Sequence, residues 1–245
     1  MNETNPMDLS IVIACYNDGD YLQDSLREIE LVMAQTRYRY ELILIDDCSP
    51  DGSARVVKRE TEKRANARCV MHKENAGRGA TVSEGMRLAK GQYVGFLDID
   101  LEVHCRYLPA MIQALESGYD VATAHRFYEI RWNPGIFFRH ILSMGYWVLM
   151  RFMLHLPYRD TETGYKFFNR EKILAVLDDC QSPGWFWDTE IMSLCYDHEL
   201  KVKEIPALFL RRPERTTTVK PIRDSIVYFI ELLKFRSRRK RRQGS

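Results

Sequence analysis

The chain has 245 residues, with 36 lysines and arginines against 34 aspartates and glutamates, a formal net charge of +2. That total hides an asymmetry, because seven of the nine residues from Lys234 to Arg242 are basic and no acid follows Glu231. Setting those seven aside leaves 29 basic against 34 acidic residues, so residues 1–233 carry −5. A nucleic-acid partner would need its positive charge spread over a domain face, which excludes that class. A concentrated cationic segment fits an anionic lipid surface instead.

With 45% hydrophobic and 29% charged residues the composition is that of a globular chain. The economical division is a single domain over 1–236 followed by a disordered basic tail over 237–245. Six cysteines (15, 48, 69, 105, 180 and 195) form no Cys-x-x-Cys pair and no zinc-like cluster, and read as reduced core thiols. The opening MNETNPMDLS lacks a basic-then-apolar signal, which points to the cytoplasm.

In chain order, residues 9–14 (LSIVIA) predict a strand buried on both faces. Helix-spaced apolar residues follow over 21–36, then a strand over 41–45 that ends in Asp46-Asp47 and a turn-rich loop. A helix over 54–65, a short strand near 69–71, a helix over 80–89 and a strand over 93–97 continue the alternation. A helix over 108–116 and a strand over 121–124 complete a mostly parallel, right-handed α/β pattern. The apolar stretch 136–156 is interrupted by Arg139 and Arg151, and its uncharged run of ten residues is too short to span a bilayer, which takes about 20. Beyond it, 160–168 and 185–190 read as polar–aromatic clusters, 201–205 as a strand, and 221–235 as an amphipathic helix with Ile226, Phe229, Ile230 and Leu233 on one face.

Ligands of open α/β sheets bind beyond the carboxyl ends of strands. Three polar clusters stand there: Tyr16-Asn17-Asp18, Asp46-Asp47 and Asp98-Ile99-Asp100. Two carboxylates directly after an apolar strand can hold Mg²⁺ or a similar hard cation together with substrate phosphates. A solvated strand-end turn is the plainer alternative. Gly77-Arg78-Gly79 opens a helix and can bind phosphate through backbone N–H groups, although a simple helix cap reads equally well.

These segments together, SIVIACYNDGDYL at 10–22, ELILIDDCSPDGS at 41–53, the run from Asn75 to Glu102 and DTETGYKFF at 160–168, resemble family-two glycosyltransferases of the GT-A fold. Within that family the chain most resembles synthases of polyprenyl-phosphate sugars, of the dolichyl-phosphate mannose and glucose type. The likeness covers about residues 8–236. It implies a GT-A (Rossmann-like), mostly parallel sheet flanked by helices, with an irregular acceptor-side half and the amphipathic helix at its end.

The resemblance also implies roles. Ala14, Tyr16 and Asp18 line the nucleoside pocket, with Ala14 and Asp18 standing where the family has Pro and Glu. One of Asp46 and Asp47 faces the nucleobase. Gly77, Arg78 and Gly79 border the donor, and Asp98, Ile99 and Asp100 form the Asp-x-Asp that takes Mg²⁺ or Mn²⁺ and the donor diphosphate, with Asp100 counted as catalytic. Arg126, Arg139 and Ser143, and less directly Arg131, hold an acceptor phosphate. Asp160, Thr163, Gly164 and Lys166 lie near the donor sugar, and Trp185 and Trp187 offer a sugar platform or fill core. Where the family carries Gly-Ser-Lys this chain has Thr218, so a phosphate contact passes to Arg212, Arg215 or Lys220.

The implied reaction is inverting transfer of a hexose, UDP-glucose ahead of GDP-mannose, to a polyprenyl monophosphate. The enzyme would sit peripherally on the cytosolic face of a membrane. A phosphate dianion attacks without a base. Were the acceptor a glycan or glycolipid hydroxyl, Asp188 or Glu190 would be the base. A non-enzymatic membrane scaffold is a third reading, opposed by the intact acids.

Overall fold

The computed structural model describes residues 7–128, 153–210 and 221–243. Seven strands form one sheet: β1 (Leu9–Cys15), β2 (Tyr40–Asp46), β3 (Ala67–Met71), β4 (Tyr93–Leu97), β5 (Val121–Tyr128), β6 (Tyr165–Asn169) and β7 (Val202–Phe209). Their order is β3-β2-β1-β4-β6-β5-β7. β1 pairs in parallel with β2 and β4, β2 with β3, and β5 with β7, while β6 runs antiparallel to both its neighbours. The expected mostly parallel α/β sheet is thus present, with one reversed strand near its centre.

The apolar runs form strands because each faces a core on both sides. Leu9, Ile11 and Ile13 of β1 enter one cluster with α1 (Gly19–Met33) and α4 (Leu108–Glu116), and Val12 enters the other. Leu42 and Leu44 of β2 divide from Ile43 and Ile45 in the same way. The second cluster packs α3 (Arg78–Leu88), α5 (Arg170–Leu177), α6 (Trp187–Asp197) and α7 (Pro221–Gln243) on the opposite face. The short α2 (Ser53–Glu62) contributes Val57 to the first. Removing each such side chain from water is worth roughly 1.5–3 kcal/mol.

Two expectations are corrected. Residues 165–169 are a central strand: Tyr165, Phe167 and Phe168 are buried, and so is Lys166, whose charge breaks the apolar pattern by which a buried strand is read. Residues 237–243, expected within a disordered tail, continue α7 as helix. Its basic side chains find acidic partners on the body, such as Arg239 on Asp197. No helix among the described residues is long and apolar enough to cross a membrane.

Candidate active site

β2, β1 and β4 lie side by side, so the loops after their carboxyl ends converge. Cys15 is in register with Asp46, and the Asp47 N–H donates to the Cys15 carbonyl at 2.9 Å. β6 runs the other way and brings its start to the same edge: Tyr165 pairs with Leu97, and the Asp98 N–H donates to the Gly164 carbonyl at 3.0 Å. A Cβ on residue 164 would stand 1.8 Å from Asp98 Oδ2, so any larger residue would push the Asp98 carboxylate out of its present place.

The loop after β1 is tied by one of its own carboxylates and by two serines that follow β2. Asp18 accepts from the Tyr16 N–H (3.1 Å), Ser49 Oγ from the Asn17 N–H (3.0 Å) and Ser53 Oγ from the Gly19 N–H (2.8 Å). Tyr16 stays exposed and Ala14 is half-buried.

The paired aspartates after β2 have different duties. Asp47 accepts from the Ala76 and Gly77 N–H groups at 2.7 and 2.9 Å, and from the side chain of His72 at 2.7 Å. It is consumed in shaping the loop before α3. Asp46 is equally buried, yet only its Oδ2 is used, by the Ser49 N–H at 3.1 Å, while Oδ1 has no partner. A buried acceptor left unpaired costs about 1–3 kcal/mol, which a ligand N–H can recover. Of the two, only Asp46 keeps a carboxylate oxygen without a partner. His72 was not singled out in the sequence, since a lone histidine after a strand carries no motif. Its other ring nitrogen is 2.9 Å from Glu84. Burial opposes its charge, but Asp47 and Glu84 together raise its pKa above the ordinary value.

A line of alternating charge runs through the centre. Arg78 reaches Asp98 at 2.6 Å and Asp188 at 2.5 Å, and Asp188 accepts from Lys166 at 2.9 Å. Lys166 also donates to the Thr163 carbonyl. Burial works against the Arg78 charge, and Asp188 and Asp98 more than offset it, so its pKa is raised. For Lys166 burial prevails over Asp188 and lowers the pKa. Asp98 is 50% exposed at the mouth, Asp100 is buried with Oδ1 on the Glu102 N–H (3.2 Å), and Ile99 belongs to the core. The Gly77-Arg78-Gly79 turn is less open to phosphate than its composition implies. The Gly77 N–H is held by Asp47, and the Ala80 N–H by the Pro183 carbonyl at 3.1 Å. Gly79 instead admits Trp187, which a Cβ would meet at 2.3 Å.

The two tryptophans part company. Trp187 is core, in edge contact with Phe96, so it is no sugar platform; Trp185 is 51% exposed, with the Arg78 guanidinium 5.4 Å from its ring centre. Neither proposed base is free. Asp188 lies between two cations. Glu190 is fully buried, accepting from the Gln181 and Ser182 N–H groups (3.2 and 2.7 Å) and pairing with Arg238 at 2.6 Å. Glu190 thus joins the 181–182 turn to α7.

Toward the end of β5, Arg126 grips Asp160 through two bonds of 2.6 and 2.9 Å. Burial would raise the Asp160 pKa, but Arg126 holds it below the usual carboxylate range. Arg131, Arg139, Ser143, Arg212, Arg215, Thr218 and Lys220 lie outside the described residues.

Of the two carboxylates after β4, Asp98 is half-exposed and paired with Arg78, while Asp100 is buried. Among the described residues no cluster of three or more acidic, histidine or cysteine side chains offers an all-protein metal cage.

Sheet order, crossover helices and the position of these acids define an α/β protein whose acidic loops gather at the carboxyl edge of the sheet, where β1 lies between β2 and β4 and where open α/β sheets bind ligands. Residues 10–177 match the family model described as Glycosyl transferase family 2, and the chain belongs to that family. It is 27% identical over 221 residues to glycosyltransferase AglD of Haloferax volcanii, an alignment covering 89% of this chain and 35% of that protein. It is 25% identical over 218 residues to the dolichyl-phosphate beta-glucosyltransferase of Dictyostelium discoideum, covering 82% of this chain and 67% of that one. The chain therefore spans about a third of the first relative and two thirds of the second. Glucosyl-3-phosphoglycerate synthase from Mycobacterium tuberculosis, solved with Mn²⁺, uridine diphosphate and glucosyl-3-phosphoglycerate, matches with a TM-score of 0.65 at 17% identity, over 94% of this chain and 78% of that one. That likeness establishes the GT-A fold.

Proposed function

We propose that this glycosyltransferase moves a hexose, with inversion, from a nucleotide sugar to a polyprenyl monophosphate at a membrane surface. UDP-glucose is the favoured donor and GDP-mannose the second. The observation that carries the choice of acceptor is the engagement of both candidate bases. A hydroxyl acceptor needs a general base, but Asp188 is clamped by Arg78 and Lys166 and Glu190 is spent on backbone and Arg238. A phosphate monoester has its second pKa near about 6, so at neutral pH it attacks as a dianion without losing a proton to the enzyme.

The remaining roles follow from charge and position. Asp46 Oδ1 receives a nucleobase N–H, and Tyr16 and Asp18 border the nucleoside. Asp98 and Asp100 would hold Mg²⁺ or Mn²⁺, which neutralises charge growing on the diphosphate leaving group. Arg78 brings a fixed positive charge to the same mouth, and Asp188 and Lys166 keep it in place. The names of the relatives support this reading: one is a dolichyl-phosphate glucosyltransferase, and a structural neighbour carries uridine diphosphate and Mn²⁺.

The test is transfer of radiolabel from UDP-glucose and GDP-mannose to polyprenyl phosphate dispersed in detergent. Organic-extractable label is the expected result. Label that appears only on a hydroxyl acceptor would establish the second reading, and no label from any donor would remove the activity altogether. Asp188→Asn is expected to lower kcat by about 10- to 100-fold through misplacement of Arg78. The rise of kcat with pH should survive in this variant, because it belongs to the acceptor phosphate. Loss of that rise would make Asp188 the base.

A further inference from the structure

α7 is apolar on two sides. Its inner side buries Leu232 and Phe235, and Tyr228 packs on Phe186 with ring centres 5.0 Å apart. Its outer side leaves Ile226, Val227, Phe229, Ile230 and Leu233 between 43 and 57% exposed. Isolated surface leucines need no explanation; five large apolar residues on two turns do.

The basic residues sort in the same way. Arg238, Arg239 and Arg242 point inward and pair with Glu190, Asp197 and Asp179. At 3.6 residues per turn, Ile226, Ile230, Leu233, Ser237 and Lys240–Arg241 succeed one another along the opposite side. Lys240 and Arg241 are exposed, and Arg236 is half-buried on the Phe229 flank. The outward surface is thus an apolar stripe continued and flanked by cations. That arrangement suits the headgroup boundary of an anionic bilayer, where apolar side chains enter the acyl edge and arginines and lysines meet phosphate. A second copy of the chain would bring like charges together at the same stripe.

We propose that the outer face of α7, through Ile226, Phe229, Ile230 and Leu233 with Arg236, Lys240 and Arg241, is a docking surface for anionic lipid. The inner arginines hold the helix to the body. The surface supplies a means for the membrane location in the reading above, but does not depend on the identity of donor or acceptor. The inner side of the same helix reaches α6 beside the site: Tyr228 Oη lies 2.5 Å from Thr189 Oγ1, on the residue next to Asp188, and Thr189 meets Thr161 at 3.0 Å.

The experiment is co-sedimentation of the full chain with phosphatidylcholine vesicles, with and without phosphatidylserine. Binding is expected only with the anionic lipid, and should weaken as salt rises. Arg236→Gln/Lys240→Gln/Arg241→Gln should reduce partitioning on the order of 100-fold, and Ile230→Ser/Leu233→Ser by a similar factor. Both variants should keep the wild-type melting temperature and their transfer to acceptor in detergent. Failure of the wild type to sediment, or equal sedimentation of both variants, would overturn the assignment. So would a dimer, seen by light scattering, that Ile230→Ser/Leu233→Ser dissociates without any vesicle binding. Sedimentation without transfer in detergent would instead remove the proposed reaction and leave the docking surface standing.

Discussion

Carboxylates that look alike in a string of letters have different occupations once folded. Asp46 and Asp47 are adjacent, yet one keeps an unpaired oxygen and the other holds the loop before α3 together. Asp188 and Glu190 lie on one helix, one at the charged centre and the other beneath α7. Glu190→Gln should therefore cost stability and not chemistry. We expect about 2 kcal/mol in urea unfolding, less than the ~3–5 kcal/mol of a wholly buried pair because Arg238 is part-exposed. Activity per folded molecule should stay within about twofold. A pH effect belongs to His72, whose folded-state pKa is raised. Its contribution is complete below the ordinary value of about 6.5 and is lost as pH rises through the higher folded value. Thermal unfolding of wild type and His72→Gln should accordingly converge as pH increases from about 6.5, with the wild type the more stable at the acidic end. The Asp-x-Asp was legible because an apolar strand precedes it. His72 was not, because its partners are 25 and 12 residues away and only the fold joins them.

At the scale of elements, strands and helices with one clear period were readable, and those carrying a second function were not. β1, β2 and β4 have uninterrupted apolar centres, with Ser10, Glu41 and Asp46 confined to their ends, and their boundaries agree with the expectation to within about two residues. β6 escaped because Lys166 must be buried to reach Asp188, so a charge interrupts its apolar run. α7 was recognised by the stripe of Ile226, Phe229, Ile230 and Leu233, but that stripe is its exposed side. What fixes the helix is Leu232 and Phe235, which the amphipathic pattern assigns to no face. The two sides should respond differently to truncation. Phe235→Ala is expected to destabilise by about 3–5 kcal/mol, whereas Phe229→Ala should stay within about 0.5 kcal/mol. Denaturant titration of both variants reads the difference directly.

Across the whole molecule, the charge asymmetry becomes an arrangement in space. The body's excess of acids includes Asp179, Glu190 and Asp197, which receive three of the seven cations of residues 234–242, and Glu231 of the same helix takes Lys234. The family relationship rests on residues 10–177, so α7 is outside the matched region. A second long-range tie, Arg126 with Asp160, joins the end region of β5 to the approach to β6. Both groups are largely buried, so a double-mutant cycle of Arg126→Met and Asp160→Asn should return a coupling above about 1 kcal/mol in equilibrium unfolding. A coupling near zero would mean that the pair is incidental.

That tie acts as a clasp. β5 and β6 pair directly only over Val121–Thr123, and Arg126 extends their hold on each other by gripping Asp160 in the loop that feeds β6. On the returning chain Leu154 and Leu156 are buried in the second core. The strand that carries Lys166 to Asp188 is therefore moored ahead of its first residue, so that a slip in its register would have to break an ion pair and expose two leucines at once.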